Sequence, residues 1–511
     1  MKADTYLMRR YDLSGGMDMG TNPFMMEDTA YTYLRNVNHD ENGSLSKDGG
    51  YSVFLDKIAT VTGDDLVFDY TDYDGAHTIM KVSGGGLYEA DFTGTAAWSV
   101  VATGVTTANY KCSAVNYLDR MYFVEASTDI HYFDGTNVSD IYTDNADANV
   151  RGKYLTTIGS TMYLGNITTV HRTSDVVYTM PDSHTFYDAN EEGFATYATT
   201  SHIIPVIGDI TGIKGYRGML LIFTNSDVWQ WNPATLGEAK ILAGTGCVAH
   251  DTIQEIDGIL YWAGKDGVYR FDGNNMPSLI SLPITNWVTN SLWRLINGTN
   301  WTKMSAGVLD GRYYLWIGNL TAALPGDSAA LNNVVIVFDT YRGTWSFYDN
   351  HPVRQWATIT NTSDNKQLIF GSNADGQTYQ RGYTYTHNTA AITSVVRTKY
   401  FDFDNPEVEK VLNNLYVTYR PSAETTKYIS VAVSKNGSNT YTTLLNSASN
   451  TRLPLTGAAT LEYQFERVSL GGLRARTASY EFKNADSGVD VTLLGFSQEF
   501  SYLNSNLNYT V

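Results

Sequence analysis

Three segments of this chain align with one another without a gap. They are LDRMYFVEASTDIHYFDGTNV from Leu118 to Val138, YRGMLLIFTNSDVWQWNPATL from Tyr216 to Leu236, and IDGILYWAGKDGVYRFDGNNM from Ile256 to Met276. Each opens on a polar turn (Asp119-Arg120, Arg217-Gly218, Asp257-Gly258) and runs into an apolar strand. A second polar turn follows, then a strand reading Ile or Val, two residues, an aromatic, and Asp or Asn. Phe133, Trp231 and Phe271 share the aromatic slot; Asp134, Asn232 and Asp272 share the polar one. The last two copies start 256 − 216 = 40 residues apart, the first and last 256 − 118 = 138 apart, or three steps of 46. A unit of this size with several short strands buries its apolar face only by stacking on the next unit, which is the signature of a β-propeller. The fixed aromatic is expected to pack between neighbouring blades, and the Asp-Gly steps to supply hairpin turns of positive φ.

Weaker copies fill the gaps. They run from His77 to Gly94, from Tyr154 to Asn166, from Gly307 (with the partner strand VVIVFDTYRGTWSFYD delayed by an insertion) and from Gln367. Together they predict an all-β chain with an irregular propeller of six or seven blades over residues 58–385. Composition agrees: 37 tyrosines and 44 glycines are strand-and-turn chemistry, and 13% aromatics excludes a disordered chain.

One segment breaks the pattern. In LPITNWVTNSLWRLING, Pro283 suits a first helical turn, and Ile284, Trp287, Val288, Leu292, Leu295 and Ile296 lie on one helical stripe. This predicts an inserted amphipathic helix of about four turns, stopped at Asn297-Gly298 and packed on the propeller's side. Beyond residue 386 the blade motif is lost and the strands alternate, so residues 386–511 are expected to form a C-terminal β-sandwich. Residues 1–57 precede the repeats as an N-terminal arm or platform segment, with a short helix expected in EDTAYTYLRNV.

Two cysteines, Cys112 and Cys247, exclude a disulfide scaffold and a four-cysteine zinc site, and are expected as buried free thiols. The N-terminus carries charge where a signal peptide needs an apolar run, and no stretch approaches the ~18 apolar residues that cross a bilayer. The reading is a protein made in the cytoplasm, with no membrane span. Lys plus Arg number 35 and Asp plus Glu 53, a net charge of −18, which argues against a surface that grips nucleic-acid phosphates.

The stretch YDLSGGMDMGTNPFMMEDTAYTYLRNVNHDENGSLSKDGGY, Tyr11 to Tyr51, carries a further pattern: Gly15-Gly16, Asn22-Pro23, Asn36-Val37, Gly43-Ser44-Leu45, Lys47 and Gly50-Tyr51. It resembles the opening of the tail nozzle, or tail tubular protein B, family of short-tailed phages and related propeller-bearing virion proteins. VFDTYRGTWSFYD and TKYFDFDNPEVEKVLNNLYVTY (Thr398–Tyr419) resemble later parts of that family. The resemblance implies a structural virion protein of the phage tail. Identical subunits, commonly six, would form a ring below an adaptor ring, in contact with fibre or tip proteins. Genomic DNA would leave through the ring without sequence recognition. An acidic chain suits such a lumen, since fixed positive charge would hold phosphates. The alternative is a propeller adhesin whose Tyr- and Trp-rich loops recognise a host surface glycan.

No enzyme is expected. The sequence has no Gly-x-Ser-x-Gly, phosphate loop, HExxH or Rossmann fingerprint. His77, His131 and His171 fall at unrelated blade positions. Asp339-Thr-Tyr-Arg-Gly343-Thr-Trp345 resembles the Asp-box turn of sialidase-type propellers, with two residues too many between Asp and Gly. A glycosidase would also need an arginine cluster, for which Arg270, Arg312 and Arg381 are the candidates. The acidic runs Asp64–Gly75 and Asp402, Asp404, Glu407, Glu409 offer oxygen ligands without EF-hand spacing and read as solvated loops. No catalytic, cofactor-binding or metal-binding residue and no cofactor is therefore assigned. The chain is expected to be largely monomeric alone, with residues 1–57 ordering on the adaptor.

Overall fold

In a computed structural model of the chain, the turns that open the repeats take the backbone form their residues permit. Arg217, Asp257 and Asp310 stand at φ 49°, each followed by a glycine of positive φ, and each closes a tight hairpin. In the first copy the turn lies one residue earlier than the alignment places it. Leu118 and Asp119 take positive φ (46° and 60°), and Tyr117 pairs with Arg120. The longer second loop, residues 125–130, restores the register, so Phe133, Trp231 and Phe271 each end the third strand of their sheet. They pair with Met121, Leu220 and Leu260, each the second residue of the second strand. The structure describes residues 5–22, 25–40, 42–58, 64–92, 97–107, 110–141, 151–168, 172–179, 181–182, 203–285, 291–361, 363–382, 384–422, 426–446, 451–456 and 462–503.

Among these residues the repeats become seven small antiparallel meanders in chain order. The first four begin with the strands Asp64–Thr71, Ser113–Tyr117, Tyr154–Ile158 and Ile210–Tyr216. The fifth, sixth and seventh begin with Gln254–Ile256, Ser305–Leu309 and Val353–Thr360. Each of the first six takes all four strands from consecutive chain. The seventh takes three (Val353–Thr360, Lys366–Ser372, Thr378–Arg381), and its fourth is Gly50–Leu55, from the other end of the sequence.

Successive sheets share separate apolar clusters. Tyr70 and Met80 meet Phe123 and Phe133; Tyr117 and Tyr122 meet Leu155 and Leu164; Tyr163 meets Trp231; Phe223 meets Trp262; Trp316 meets Trp356. Val67 and Ile79 of the first sheet pack on Ile359 and Ile369 of the seventh. Side-chain hydrogen bonds between the first strands follow the same order. Asn116 donates to the Asp69 carbonyl, Leu155 N–H to Ser113 Oγ, Gly215 N–H to Thr156 Oγ1, Gln254 to the Ala306 carbonyl and Trp356 N–H to Ser305 Oγ. Thr360 N–H of the seventh sheet then donates to Asp69 Oδ2 of the first at 3.0 Å.

The later strands form two further sheets. One holds Tyr31–Arg35, Ser394–Thr398, Ala478–Asn484 and Tyr428–Lys435 in that order, and a parallel bridge from Arg35 to Phe347 joins it to the sixth meander. The other holds Val37–His39, Leu45–Lys47, Thr492–Tyr502, Lys410–Tyr419 and Gln464–Ala475, with Tyr6–Arg10 also on Thr492–Tyr502. Phe482 and Tyr480 of the first pack at a tilt against Phe496 of the second, and Tyr480 Oη donates to Gln498 Oε1 at 2.7 Å between them.

Three expectations change. The EDTAYTYLRNV segment is a strand, Tyr31–Arg35, not a helix: Tyr31 and Tyr33 alternate inward and the backbone pairs with Ser394–Thr398. The stripe from Pro283 is not one continuous helix either. Leu282–Thr285 is a single α-turn and Trp293–Leu295 a 3₁₀ turn, while Trp287 and Val288 lie outside the described residues. Ile284, Leu292, Leu295 and Ile296 are nonetheless buried in one core, and Trp293 Nε1 donates to the Lys265 carbonyl at 2.9 Å, fixing the chain where a helix would carry it past. Finally, the first 57 residues are not a free arm. They supply five strands to sheets made mostly of later residues.

Candidate functional site

The residues of the Tyr11–Tyr51 pattern converge on the joint between the last meanders and the paired sheets. A Cβ on Gly16 would strike Thr344 and the backbone of Trp345, so only glycine lets the chain pass there; Met17 N–H then donates to the Trp345 carbonyl at 2.9 Å. Asn36, at φ 53°, is fully buried. Its Nδ2 donates to Asp349 Oδ1 at 2.6 Å and to the Thr393 carbonyl at 2.8 Å, and its Oδ1 accepts from Asp349 N–H. Lys47 is buried with its ammonium donating to Asn484 Oδ1 and the Asp486 carbonyl; burial pushes its pKa down to about 8. Gly50 stands at φ 74° against the Thr386 carbonyl, and Tyr51 Oη donates to the Asn350 carbonyl at 2.9 Å. Pro23 of the pattern lies outside the described residues.

Beside this joint, Asp48 is buried with Arg381, whose Nη2 donates to Asp48 Oδ1 at 2.6 Å. Burial works to raise the Asp48 carboxyl, but the Arg381 charge and the neighbouring imidazoles outweigh it and hold it below its ordinary value. His351 and His387 complete the group with their ring centroids 4.7 Å apart, and Tyr51 stacks on His387 at 5.1 Å. Burial lowers the two imidazoles to about 4 and about 3, so both are neutral near pH 7. Among the described residues this is the one group of His and carboxylate donors close enough to share an ion. The sequence held no sign of it, because positions 48, 351 and 387 meet only when the N-terminal strand enters the seventh sheet.

A polar cleft of about 660 Å³ opens between residues 326–331 and the strands Ser394–Thr398 and Ala478–Asn484. Its centre is Arg397, bonded through Nε to Glu481 at 2.7 Å, through Nη2 to Asp327 at 3.2 Å and through Nη1 to the Pro325 carbonyl at 2.7 Å. The guanidinium lies 4.3 Å above the Tyr33 ring, and Tyr33 Oη donates to Asp327 Oδ2. Arg397 is thus paired with both carboxylates of the cleft, Asp327 and Glu481, and Arg35 and Lys483 also line it.

The residues singled out in the sequence have local partners. Asp134 and Asp272 each accept two backbone N–H bonds from the turn that follows, and Asn232 accepts one. These bonds pull Asp272 down to about 2, and they explain the polar slot as a turn former. Asp339 does the same for Tyr341 and Arg342. Its carboxylate also pairs with Arg312 and Arg342, so the Asp-box-like turn is architectural. Of the three arginines, Arg270 is exposed, while Arg312 and Arg381 both act on Tyr314 and Tyr348 and are held by Asp339 and Asp48 respectively. His77 contacts Asp69 at 3.0 Å and His131 contacts Asp140; His171 lies outside the described residues. Asp404 N–H caps back on Asp402 Oδ1, and Glu407 and Glu409 are exposed. Cys112 and Cys247 are buried free thiols, and burial pushes Cys247 up to about 12, which removes it as a nucleophile near neutral pH.

No family model matches this chain, and no curated protein matches it. Solved structures do. The computationally designed Ika8 protein is similar over 65% of this chain and 99% of its own, at 9% identity and a TM-score of 0.37. The extracellular domain of a hybrid two-component system from B. thetaiotaomicron matches 74% of this chain at 11% identity and a TM-score of 0.42. PorZ, a surface component of the type-IX secretion system of Porphyromonas gingivalis, matches 70% at 12% identity and a TM-score of 0.38. The chain spans under half the length of the latter two, 45% and 44%.

Proposed function

We propose that the chain is a structural subunit of a bacteriophage tail, a nozzle-ring protein through whose assembled lumen the genome leaves the particle. In this reading the seven meanders are the blades of a closed propeller, locked by the N-terminal strand in the last blade, and the paired sheets are a sandwich fused to it. One observation carries the proposal. Of the residues that make the N-terminal stretch resemble the nozzle family, Gly16 and Asn36 tie the sixth meander and the link after it to the paired sheets, Lys47 bonds within the paired sheets, and Gly50 and Tyr51 sit in the seventh meander. A pattern whose residues have structural roles of this kind supports reading the resemblance as one of architecture. The pairing of Arg397 with Asp327 and Glu481 and the turn-forming roles of Asp134, Asp272 and Asp339 also favour a scaffold.

Electron microscopy of the intact particle, with this chain localised by a tag on an exposed loop such as Ser363–Asn365, tests the reading. A ring of copies between an adaptor ring and the distal tail is the expected result. A distal trimer or monomer in contact with the host surface would transfer the chain to the adhesin class, and release of reducing sugar from host envelope would make it an enzyme.

A further inference from the structure

Asp48, His351 and His387 reach one point from three separate parts of the chain. Asp48 precedes the strand Gly50–Leu55, which enters the seventh sheet from the N-terminal side. His351 stands in the link between the sixth and seventh sheets, and His387 lies in the short strand that runs parallel to Gly50–Tyr51. All three side chains are buried, and one donor atom from each lies within 4.8 Å of the other two. His351 Nε2 is 3.8 Å from Asp48 Oδ2. The Nε2 atoms of His351 and His387 are both shut off from solvent and have no hydrogen-bond partner among the described residues. Two buried nitrogens of this kind are a standing cost unless something uses them.

We propose that Asp48, His351 and His387 bind a single divalent transition ion of the zinc class, which clasps the N-terminal strand into the seventh sheet. The donor set selects the class. Two imidazoles and one carboxylate suit zinc and its neighbours, whereas Ca²⁺ and Mg²⁺ want several oxygens, and here only one carboxylate is offered. Bond lengths of about 2.0–2.2 Å put tetrahedral donors roughly 3.4 Å apart, so side-chain rotations within the cluster suffice to close it. The surroundings are those of a supported site. His351 Nδ1 donates to the Asp349 carbonyl at 2.9 Å, which leaves Nε2 as the lone pair. Arg381 holds Asp48 by Oδ1 and Gly50 N–H reaches Oδ2, so the carboxylate is oriented before an ion arrives. The Tyr51 ring packs on both imidazoles. Arg381 brings a positive charge beside the ion. The cost makes the site weaker than a three-carboxylate cage but also keeps the carboxylate from collapsing onto a proton.

An ion here ties residues 48, 351 and 387 together, adding to the hydrogen bonds from Tyr51 to Asn350 and from Asn388 to Tyr51. Its role is to hold the structure, and with three protein donors the fourth tetrahedral position falls to a water molecule. The test uses the full-length chain purified from zinc-supplemented medium. Elemental analysis is expected to find close to one equivalent of zinc, retained by a His77→Gln control, and chelation is expected to lower the melting temperature until ZnCl₂ is restored. His351→Gln and His387→Gln should carry background zinc only. Should those variants fail to fold, CoCl₂ titration of the chelated wild-type chain decides. A visible ligand-field band saturating at one equivalent supports the site, and its absence at excess cobalt overturns it. Zinc-free wild-type protein whose melting ignores chelator and ZnCl₂, or equal zinc in the histidine variants, also overturns the proposal.

Discussion

Tyr216, the last residue of its strand, donates its hydroxyl to the Gly258 carbonyl at 2.7 Å, and so bonds one sheet to the turn of the next. The arrangement recurs. Tyr117 Oη reaches the Ser160 carbonyl at 2.7 Å, and Tyr70 Oη the Asp119 carbonyl at 3.1 Å. In the first and last cases the same ring packs on the fixed aromatic of the following sheet, Tyr70 on Phe133 and Tyr216 on Phe271. Tyr70 and Tyr216 therefore each read both the turn and the aromatic slot of the next sheet. Tyr216→Phe, Tyr117→Phe and Tyr70→Phe keep the ring contacts and remove one hydrogen bond each, so each is expected to cost about 1 kcal/mol. Tyr70 bonds the Asp119 carbonyl two residues from Tyr117, so those two sites couple, and the triple variant should lose about 2–3 kcal/mol. Urea unfolding checks this; midpoints that do not move would show that the rings alone set the spacing.

Asp48 and Arg381 make the second prediction. The pair is buried at 2.6 Å. Asp48→Asn leaves an uncompensated buried guanidinium and should cost about 3–5 kcal/mol. Removing both charges together, as Asp48→Asn with Arg381→Met, should recover a large part of that loss. Chemical denaturation of the two variants gives the comparison. A double variant worse than the single one would show that Arg381 matters mainly by packing on Tyr314 and Tyr348, over whose rings it lies at 4.8 and 4.9 Å.

His250 sets a pH dependence. It touches Tyr154 at 4.8 Å and Ser113 at 3.4 Å, and it faces Asp251, Lys214 and Lys111. Burial lowers its pKa from 6.5 to about 4; the two lysines add to this and Asp251 opposes it. Between those values the unfolded chain binds the proton and the folded chain does not, so stability falls as pH drops from 6.5 to 4 and levels off below. The window corresponds to roughly 2–3 kcal/mol, at the lower end because the side chain is partly open to solvent. His250→Gln should flatten the pH profile by about that amount while leaving the contribution of the other histidines. Thermal melts of both chains from pH 7 to pH 4 measure the difference.

What is legible in the sequence is what the chain writes locally. The Phe133, Trp231 and Phe271 slots and the Asp134, Asn232 and Asp272 turns sit in hairpins whose partners lie a few residues away. Their positions in the sheets follow from the repeat alone. Tyr31–Arg35 reads wrongly as a helix because a five-residue run of Tyr, Thr and Leu fits a strand or a helix equally until its partner is known, and that partner is residues 394–398. The apolar stripe from Ile284 to Ile296 correctly marks buried residues but not their backbone, since Trp293 anchors on Lys265 and turns the chain. The Asp48 group is invisible for a stronger reason. No local pattern links residue 48 to residues 351 and 387.

The segment before Tyr31 now carries a prediction opposite to that of an arm which orders only on a partner. Tyr6–Arg10 pairs with Phe496–Phe500 along its whole length, and Leu13 and Met17 are each only 1% exposed within the main core. Met17, Asp18 and Met19 donate their N–H groups to Trp345, Tyr31 and Pro283, and Lys399 reaches the Met26 carbonyl at 2.9 Å. Truncating Leu or Met to Ala in a core costs about 2–5 kcal/mol per side chain. Deleting residues 1–30 removes both side chains and a strand, a loss comparable with the ~5–15 kcal/mol that holds a typical domain. The truncated chain is therefore expected to lose cooperative unfolding in the paired sheets, so its failure to join a ring would report lost structure as well as lost contact. Hydrogen exchange on the intact, unassembled chain separates the two accounts. Protection at Met17, Asp18 and Tyr31 comparable to that of Leu412–Tyr419 is the expected outcome, and exchange of those amides at unstructured rates would return the segment to the role of an arm.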